Sequence, residues 1–241
     1  MRDIPIIFSA PMVRALLDGR KTQTRRILKP QPKTFAVDNK GTMCDVGLQH
    51  LEGDPLPRIW LGKDGAGVLT EQKVRYAVGD RLWVRENIWQ NGTWVRTEDE
   101  TGEIGSKWVS TSSVRMMADE TKPAGSGNFV WRSIPSIHMP RWASRLTLVV
   151  EQVRVERLQD ITREDVYAEG AITDEWLQWR EDAGNIGMPE GSSIEDERDV
   201  FDRLWTSLHG DGSWDANPWV VALTFRVIRS NIDAIQSQEA A

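Results

Sequence analysis

Gly19-Arg20-Lys21-Thr22-Gln23-Thr24-Arg25-Arg26-Ile27 is the stretch on which the reading of this chain turns. Five of the ten residues from Arg20 to Lys29 are basic, although the 241-residue chain has a formal net charge of −6. A local charge opposed to the global one calls for an anion, and phosphate is the simplest. Read as a strand, the segment puts Thr22 and Thr24 on one face and Lys21, Gln23 and Arg25 on the other. Pro30 and Pro32 close it. Upstream, Ile4 to Phe8 reads as a short strand. A helix follows, with Ser9 as N-cap, Pro11 in the first turn, Met12, Val13, Leu16 and Leu17 at helical spacing, and Gly19 as its stop.

Downstream, residues 33 to about 78 hold no sustained period and read as an irregular insertion carrying small hairpins. Arg81–Glu86 alternates like a strand after the Val78-Gly79-Asp80 turn, and Trp89–Arg96 reads as a further strand. Residues 97–127 are polar and rich in Gly and Ser, a second excursion. Ser136–Trp142 is a compact polar-aromatic loop. Arg145–Leu158 is a long strand pattern whose phase change between Val150 and Val153 predicts a bulge or bend. Thr162-Arg163-Glu164-Asp165 opens a short helix with Thr162 as N-cap and Asp165 as its acidic partner, and Gly170 ends it. Helices are expected over Asp174–Trp179 and Ile194–Leu208, with a Gly-rich loop at 182–193 between them. A strand is expected over Trp219–Ile228, followed by a polar tail from Ser230.

Without internal repeats or a linker between two independent core-forming segments, the pattern reads as one domain, 1–229, with insertions at about 33–78 and 97–127, then a tail at 230–241. Several strands with few helices place it in the α+β class, as a small β-barrel decorated by helices. No apolar run approaches a membrane span. The N-terminal apolar stretch is too short for a signal peptide. The single cysteine, Cys44, forms no internal disulfide. A cytoplasmic protein is expected. His50, His138 and His209 lack metal-ligand spacing, so neither a metal nor another cofactor is expected. Phosphate-cradling glycine loops and a nucleophile elbow are absent.

Twelve tryptophans against two tyrosines supply core area and flat faces for stacking on bases. Trp94 and Trp108 lie in polar surroundings and are the expected exposed ones. On these grounds a basic pocket is expected, with Arg20, Lys21, Arg25 and Arg26 holding phosphate and Trp83 or Trp142 stacking on a base. His138 and Arg141 stand beside Trp142 in the same loop.

Taken together, Gly19-Arg20-Lys21-Thr22-x-Thr24-x-Arg26, Gly79-Asp80 before a strand, Leu158 to Glu169, and Phe225-Arg226-Val227 in the closing strand resemble the ASCH domain. Phe8–Val13, Ser136–Arg145 and Ser213–Trp219 look like phage and prophage-encoded members of that family. The resemblance implies a PUA-like barrel and recognition of RNA, another nucleic acid or a modified nucleotide. Some small bacterial ASCH proteins hydrolyse N4-acetylcytidine with a Lys, a Thr and a Glu. The resemblance places these roles on Lys21, Thr24 and Glu169, with Arg26 at a further basic position of the family. Amide hydrolysis needs a nucleophile and a proton acceptor, for which Thr24 and Lys21 are chemically suited, with Glu169 orienting Lys21 or activating water. A regular strand sends residues 21 and 24 to opposite faces, so convergence requires a bend between them. Three functions stand from the sequence: a nucleic-acid or modified-nucleotide recognition module, an amidohydrolase of an acylated pyrimidine nucleoside, and a phage accessory protein that binds a host protein. The pocket is expected between Lys21–Arg26 and the Thr162–Glu169 helix.

Overall fold

The computed structural model describes residues 1–31, 45–49, 54, 56–63, 66–100, 103–186 and 196–239. In chain order the elements are β1 (Asp3–Ile7), α1 (Ala10–Leu17), β2 (Gln23–Ile27), β3 (Asp45–Gln49), β4 (Arg58–Lys63), β5 (Ala66–Lys73), β6 (Arg81–Arg85), β7 (Ile88–Glu98), β8 (Ile104–Met116), β9 (Val130–Ile134), β10 (Thr147–Arg157), α2 (Arg163–Ala168), α3 (Asp174–Ile186), α4 (Glu197–His209), β11 (Trp219–Ile228) and α5 (Ile232–Glu239). The fold is mixed α+β. Its strands form sheets of order β1-β6-β10-β11-β2, β3-β4-β5 and β8-β7-β9, and among the described residues none of these orders closes into a barrel. The chain packs as two compact units. One comprises Met1–Asp18, Arg81–Leu148 and Val227–Ala241, the other Gly19–Asp80 and Val149–Arg226.

In the second unit, β2 runs antiparallel to β11, with Leu223 opposite Thr24 and Val221 opposite Arg26. Val220, Val221, Ala222 and Leu223 are all buried, so β11 has a covered surface on both sides. Leu158, Ile161, Val166, Ile172, Phe201, Trp205 and Val220 form one apolar cluster that seats α2 and α4. Thr162 caps α2 by accepting from the Asp165 N–H at 3.2 Å, and Gly170 follows at φ +70°, a conformation that favours glycine. At α4 the side chain of Asp196 accepts from the Arg198 and Asp199 N–H groups, and Asp199 returns the bond to the Asp196 N–H. The helix therefore begins at Glu197, three residues later than its apolar period suggests. α3 runs on to Ile186 rather than stopping at Trp179, which takes the first part of the expected 182–193 loop; residues 187–195 lie outside the described residues. The expected hairpins of 33–78 take the form of the antiparallel pairs β3–β4 and β4–β5 where that stretch is described.

In the first unit, β1 pairs in parallel with β6, Ile4 opposite Leu82. Ser9 stands at the N-cap of α1 but its side chain makes no capping bond. The excursion expected at 97–127 contains a thirteen-residue strand, β8, paired antiparallel with β7. Its outer residues are exposed on both faces, so the strand carries no apolar alternation for a sequence reading to detect. Ile88, Met139 and Ala143 pack with Val114, Met116 and Ile134 at one end of this β8-β7-β9 sheet. The expected tail is a helix, α5, whose Ile232 and Ile235 are buried.

Candidate functional site

The basic segment is bound up with the C-terminal end of α2. Carbonyls in the last turn of a helix lack intrahelical partners. Here the Ala168 carbonyl accepts from the Thr22 N–H at 2.8 Å, and the Glu169 carbonyl accepts from Lys21 Nζ at 2.7 Å. Arg20 donates to the Ile172 carbonyl just beyond, at 3.2 Å. Cations are favoured at this end of a helix. The Thr22 carbonyl accepts from the Phe225 N–H at 2.9 Å while its own N–H goes to α2. The chain thus leaves the β2–β11 ladder at Thr22, and Lys21 precedes the regular strand.

Lys21 is buried, and its Nζ also lies 2.7 Å from Glu169 Oε2. Burial pulls the Lys21 ammonium below its ordinary range; Glu169 opposes that by attraction, and Arg26 and Arg25 add to it by repulsion. Arg25 occupies the centre of the same face. Its Nε and Nη2 donate to Glu156 Oε1 at 3.0 and 2.6 Å, and Nη2 donates also to Asp165 Oδ2 at 2.6 Å. Its Nη1 donates to Gln23 Oε1 at 2.7 Å and to Glu169 Oε1 at 3.2 Å. All five guanidinium N–H directions are therefore spent on protein oxygens. Arg154 closes the group by donating to both Asp165 oxygens, at 3.2 and 3.0 Å, with Glu156 Oε2 at 3.4 Å. Three cations (Lys21, Arg25, Arg154) thus face three carboxylates (Glu156, Asp165, Glu169). Burial alone would raise the Asp165 carboxyl, but Arg25 and Arg154 outweigh it and hold it below the usual range. For Arg25, burial acts downward and is outweighed by Glu169, Glu156 and Asp165, so its guanidinium is held charged more firmly than usual.

Thr24 occupies the alternate position on β2 from Gln23 and Arg25. It is buried, while Lys21 Nζ is directed to the Glu169 carbonyl and Oε2. Arg26 shares the Thr24 parity and is half-buried. Burial lowers its pKa, partly offset by Tyr76 and Glu169.

The structure thus brings Lys21, Arg25 and Glu169 into one contact group and sets Thr24 and Arg26 on the alternate positions of β2. Arg20 belongs to the same unit, whereas Trp83, His138, Arg141 and Trp142 belong to the other. Trp83 lies on β6 opposite Pro5 with the Arg85 guanidinium 5.3 Å over its ring. Arg141 is paired with Asp3 at 2.5 Å and with Asp233 at 2.7 Å. His138 and Trp142 are exposed. Glu156 and Arg154 were not singled out from sequence. The signal was present, because Arg154 and Glu156 alternate with Val155 on a strand where one face is expected to be covered, and charges there need partners. Among the described residues no group of His, Cys, Asp and Glu is placed to hold a metal ion, and no helix is long and apolar enough to cross a membrane. No family model, no curated protein and no solved structure matches this chain.

Proposed function

We propose that this chain is an ASCH-type, PUA-like protein that hydrolyses the exocyclic amide of an acylated pyrimidine nucleoside such as N4-acetylcytidine, using Lys21, Thr24 and Glu169. The observation that carries the reading is the buried Lys21 ammonium, 2.7 Å from Glu169 and lowered in pKa, in a Lys-Thr-x-Thr segment whose second threonine is also buried. A lysine held below its ordinary range exists more readily as the free amine, which is the form that accepts a proton. The backbone leaves the ladder at Thr22, yet Lys21 turns to Glu169 on the Arg25 side, so the reading requires Lys21 to reach Thr24 through a water or by a change of rotamer.

In this reading the substrate carbonyl carbon lies against Thr24 Oγ. Thr24 Oγ bonds to that carbon as Lys21 Nζ takes the hydroxyl proton, directly or through one water. The carbonyl electron pair moves to oxygen and gives a tetrahedral oxyanion, towards which Arg26 supplies positive charge. When the oxyanion collapses, the C–N bond breaks and the Lys21 ammonium returns its proton to the exocyclic nitrogen. Water, activated by Lys21 or Glu169, then cleaves the Thr24 ester and releases the acid. Glu169 orients Lys21 throughout.

A polyanion grip by the same segment receives less support. A phosphate could reach Arg25 only by displacing Glu156, Asp165, Glu169 or Gln23. The test is chromatographic release of cytidine from N4-acetylcytidine. Turnover by the native chain, reduced about 10²–10⁴-fold in both Lys21→Ala and Thr24→Ala, is expected. Absence of turnover, or turnover that survives both substitutions in folded protein, overturns the reading.

A further inference from the structure

The β8-β7-β9 sheet carries a surface that the hydrolytic site does not use. Trp94 on β7 lies directly opposite Trp108 on β8, and their ring centroids are 5.6 Å apart in an edge-on arrangement. Arg132 on β9 places its guanidinium 5.3 Å over the Trp94 ring and 5.0 Å over the Trp108 ring. β9 pairs with the other edge of β7, so the three residues come from three adjacent strands and share one face. Arg96, two residues after Trp94, takes the same face by alternation.

The platform is rigid on one side and open on the other. The Trp108 ring lies so close across Gly92 that a Cβ there would be 2.5 Å from Trp108 Cζ2 and 2.5 Å from the Val109 carbonyl oxygen. Only glycine lets this ring settle onto the backbone of β7. Trp94, by contrast, is 54% exposed. Among the described residues neither Arg96 nor Arg132 takes part in an ion pair, whereas Arg81, Arg115, Arg141 and Arg145 of the same unit are matched to carboxylates.

We infer that this face is a docking surface for single-stranded nucleic acid, with a base stacked on Trp94 and phosphates on Arg96 and Arg132. An exposed indole flanked by unmatched guanidinium groups fits a ligand that alternates flat aromatic rings with anionic links. A neutral sugar would use the indole and leave both charges unanswered. A duplex buries its base faces and cannot stack on Trp94. Glu98, Asp99 and Glu103 at the β7–β8 end repel phosphate, so the strand tracks from Trp94 towards β9 rather than towards that turn. The inference stands apart from amide hydrolysis, since it uses none of Lys21, Thr24 or Glu169.

The test is quenching of tryptophan fluorescence by a fifteen-residue oligothymidylate, titrated at several salt concentrations, with a duplex of equal length and a neutral maltooligosaccharide as comparators. The native chain is expected to bind the single strand in a salt-sensitive way and to prefer it to both comparators. Trp94→Ala weakens binding about tenfold, the scale of one base–aromatic stack. Arg132→Ala lowers the slope of log affinity against log salt by about 0.7. Near-ultraviolet circular dichroism of both variants confirms that the rest of the chain is folded. The inference is overturned by no binding at 50 mM salt (a concentration about where such contacts are strong), by equal binding of the sugar, or by native affinity and slope in both variants. Cytidine release is unaffected by either substitution, so failure here and failure of the hydrolase reading are separate results.

Discussion

Strand β2 and the β8-β7-β9 sheet both carry cations, and they use them in opposite ways. On β2, Arg25 is fully enclosed and every N–H it has is aimed at a protein oxygen. On the sheet, Arg132 is exposed, lies over two indole rings and is paired with no carboxylate among the described residues. A dense run of basic residues is therefore no guide to where an anion from outside would be held. The denser run is answered from within by Glu156, Asp165 and Glu169, whereas two arginines scattered among polar residues are left for a ligand.

The largest effect that would break this contrast is at Arg25. Arg25→Met leaves three carboxylates around an apolar side chain and is expected to cost about 3–5 kcal/mol in urea denaturation, the range for breaking a buried ionic cluster from one side. A loss below 1 kcal/mol would mean that the cluster is solvated and the face open. Next is Gly92→Ala, which drives a methyl group into the Trp108 ring and the Val109 carbonyl and is expected to cost about 1–3 kcal/mol. Removing the Asp196 cap of α4 by Asp196→Ala is expected to cost about 1 kcal/mol. Trp94→Ala changes stability by less than about 0.5 kcal/mol, because the ring is more than half exposed; a larger loss would make Trp94 a structural residue.

A pH dependence sharpens the β2 side. The folded-state pKa of Asp165 lies below its unfolded value, so its contribution to stability is complete above the ordinary carboxylate pKa of about 4 and is lost as pH falls through the folded value. The acid limb of the stability curve is expected to be shallower in Asp165→Asn than in the native chain. Equal limbs would show that Arg25 and Arg154 do not hold the Asp165 charge.

Much of the neighbourhood of the site was legible in sequence. Alternation put Lys21, Gln23 and Arg25 on one side of β2, and Gln23 and Arg25 are hydrogen-bonded to each other while Lys21 and Arg25 share Glu169. Thr162 and Gly170 marked both ends of α2 because capping chemistry is local. What was not legible is which charges answer one another. The pairings of Arg25 with Glu156, Asp165 and Glu169 span 131, 140 and 144 residues, and nothing local encodes them. β8 escaped for a different reason: a strand wet on both faces has no apolar period. The start of the expected 182–193 loop is helical instead, and Gly184 sits inside a helix that runs to Ile186.

The proposal for hydrolysis rests on Lys21 being a buried lysine whose proton is held more weakly than usual. Titration of the Lys21 side chain by heteronuclear NMR, with the resonance assigned by its loss in Lys21→Met, measures that directly. The expected result is a midpoint below the ordinary lysine value of about 10.4, and lower still in Glu169→Gln, where the attraction that opposes burial is gone. A midpoint at the ordinary value, unmoved by Glu169→Gln, would contradict the account by removing both the base and its partner.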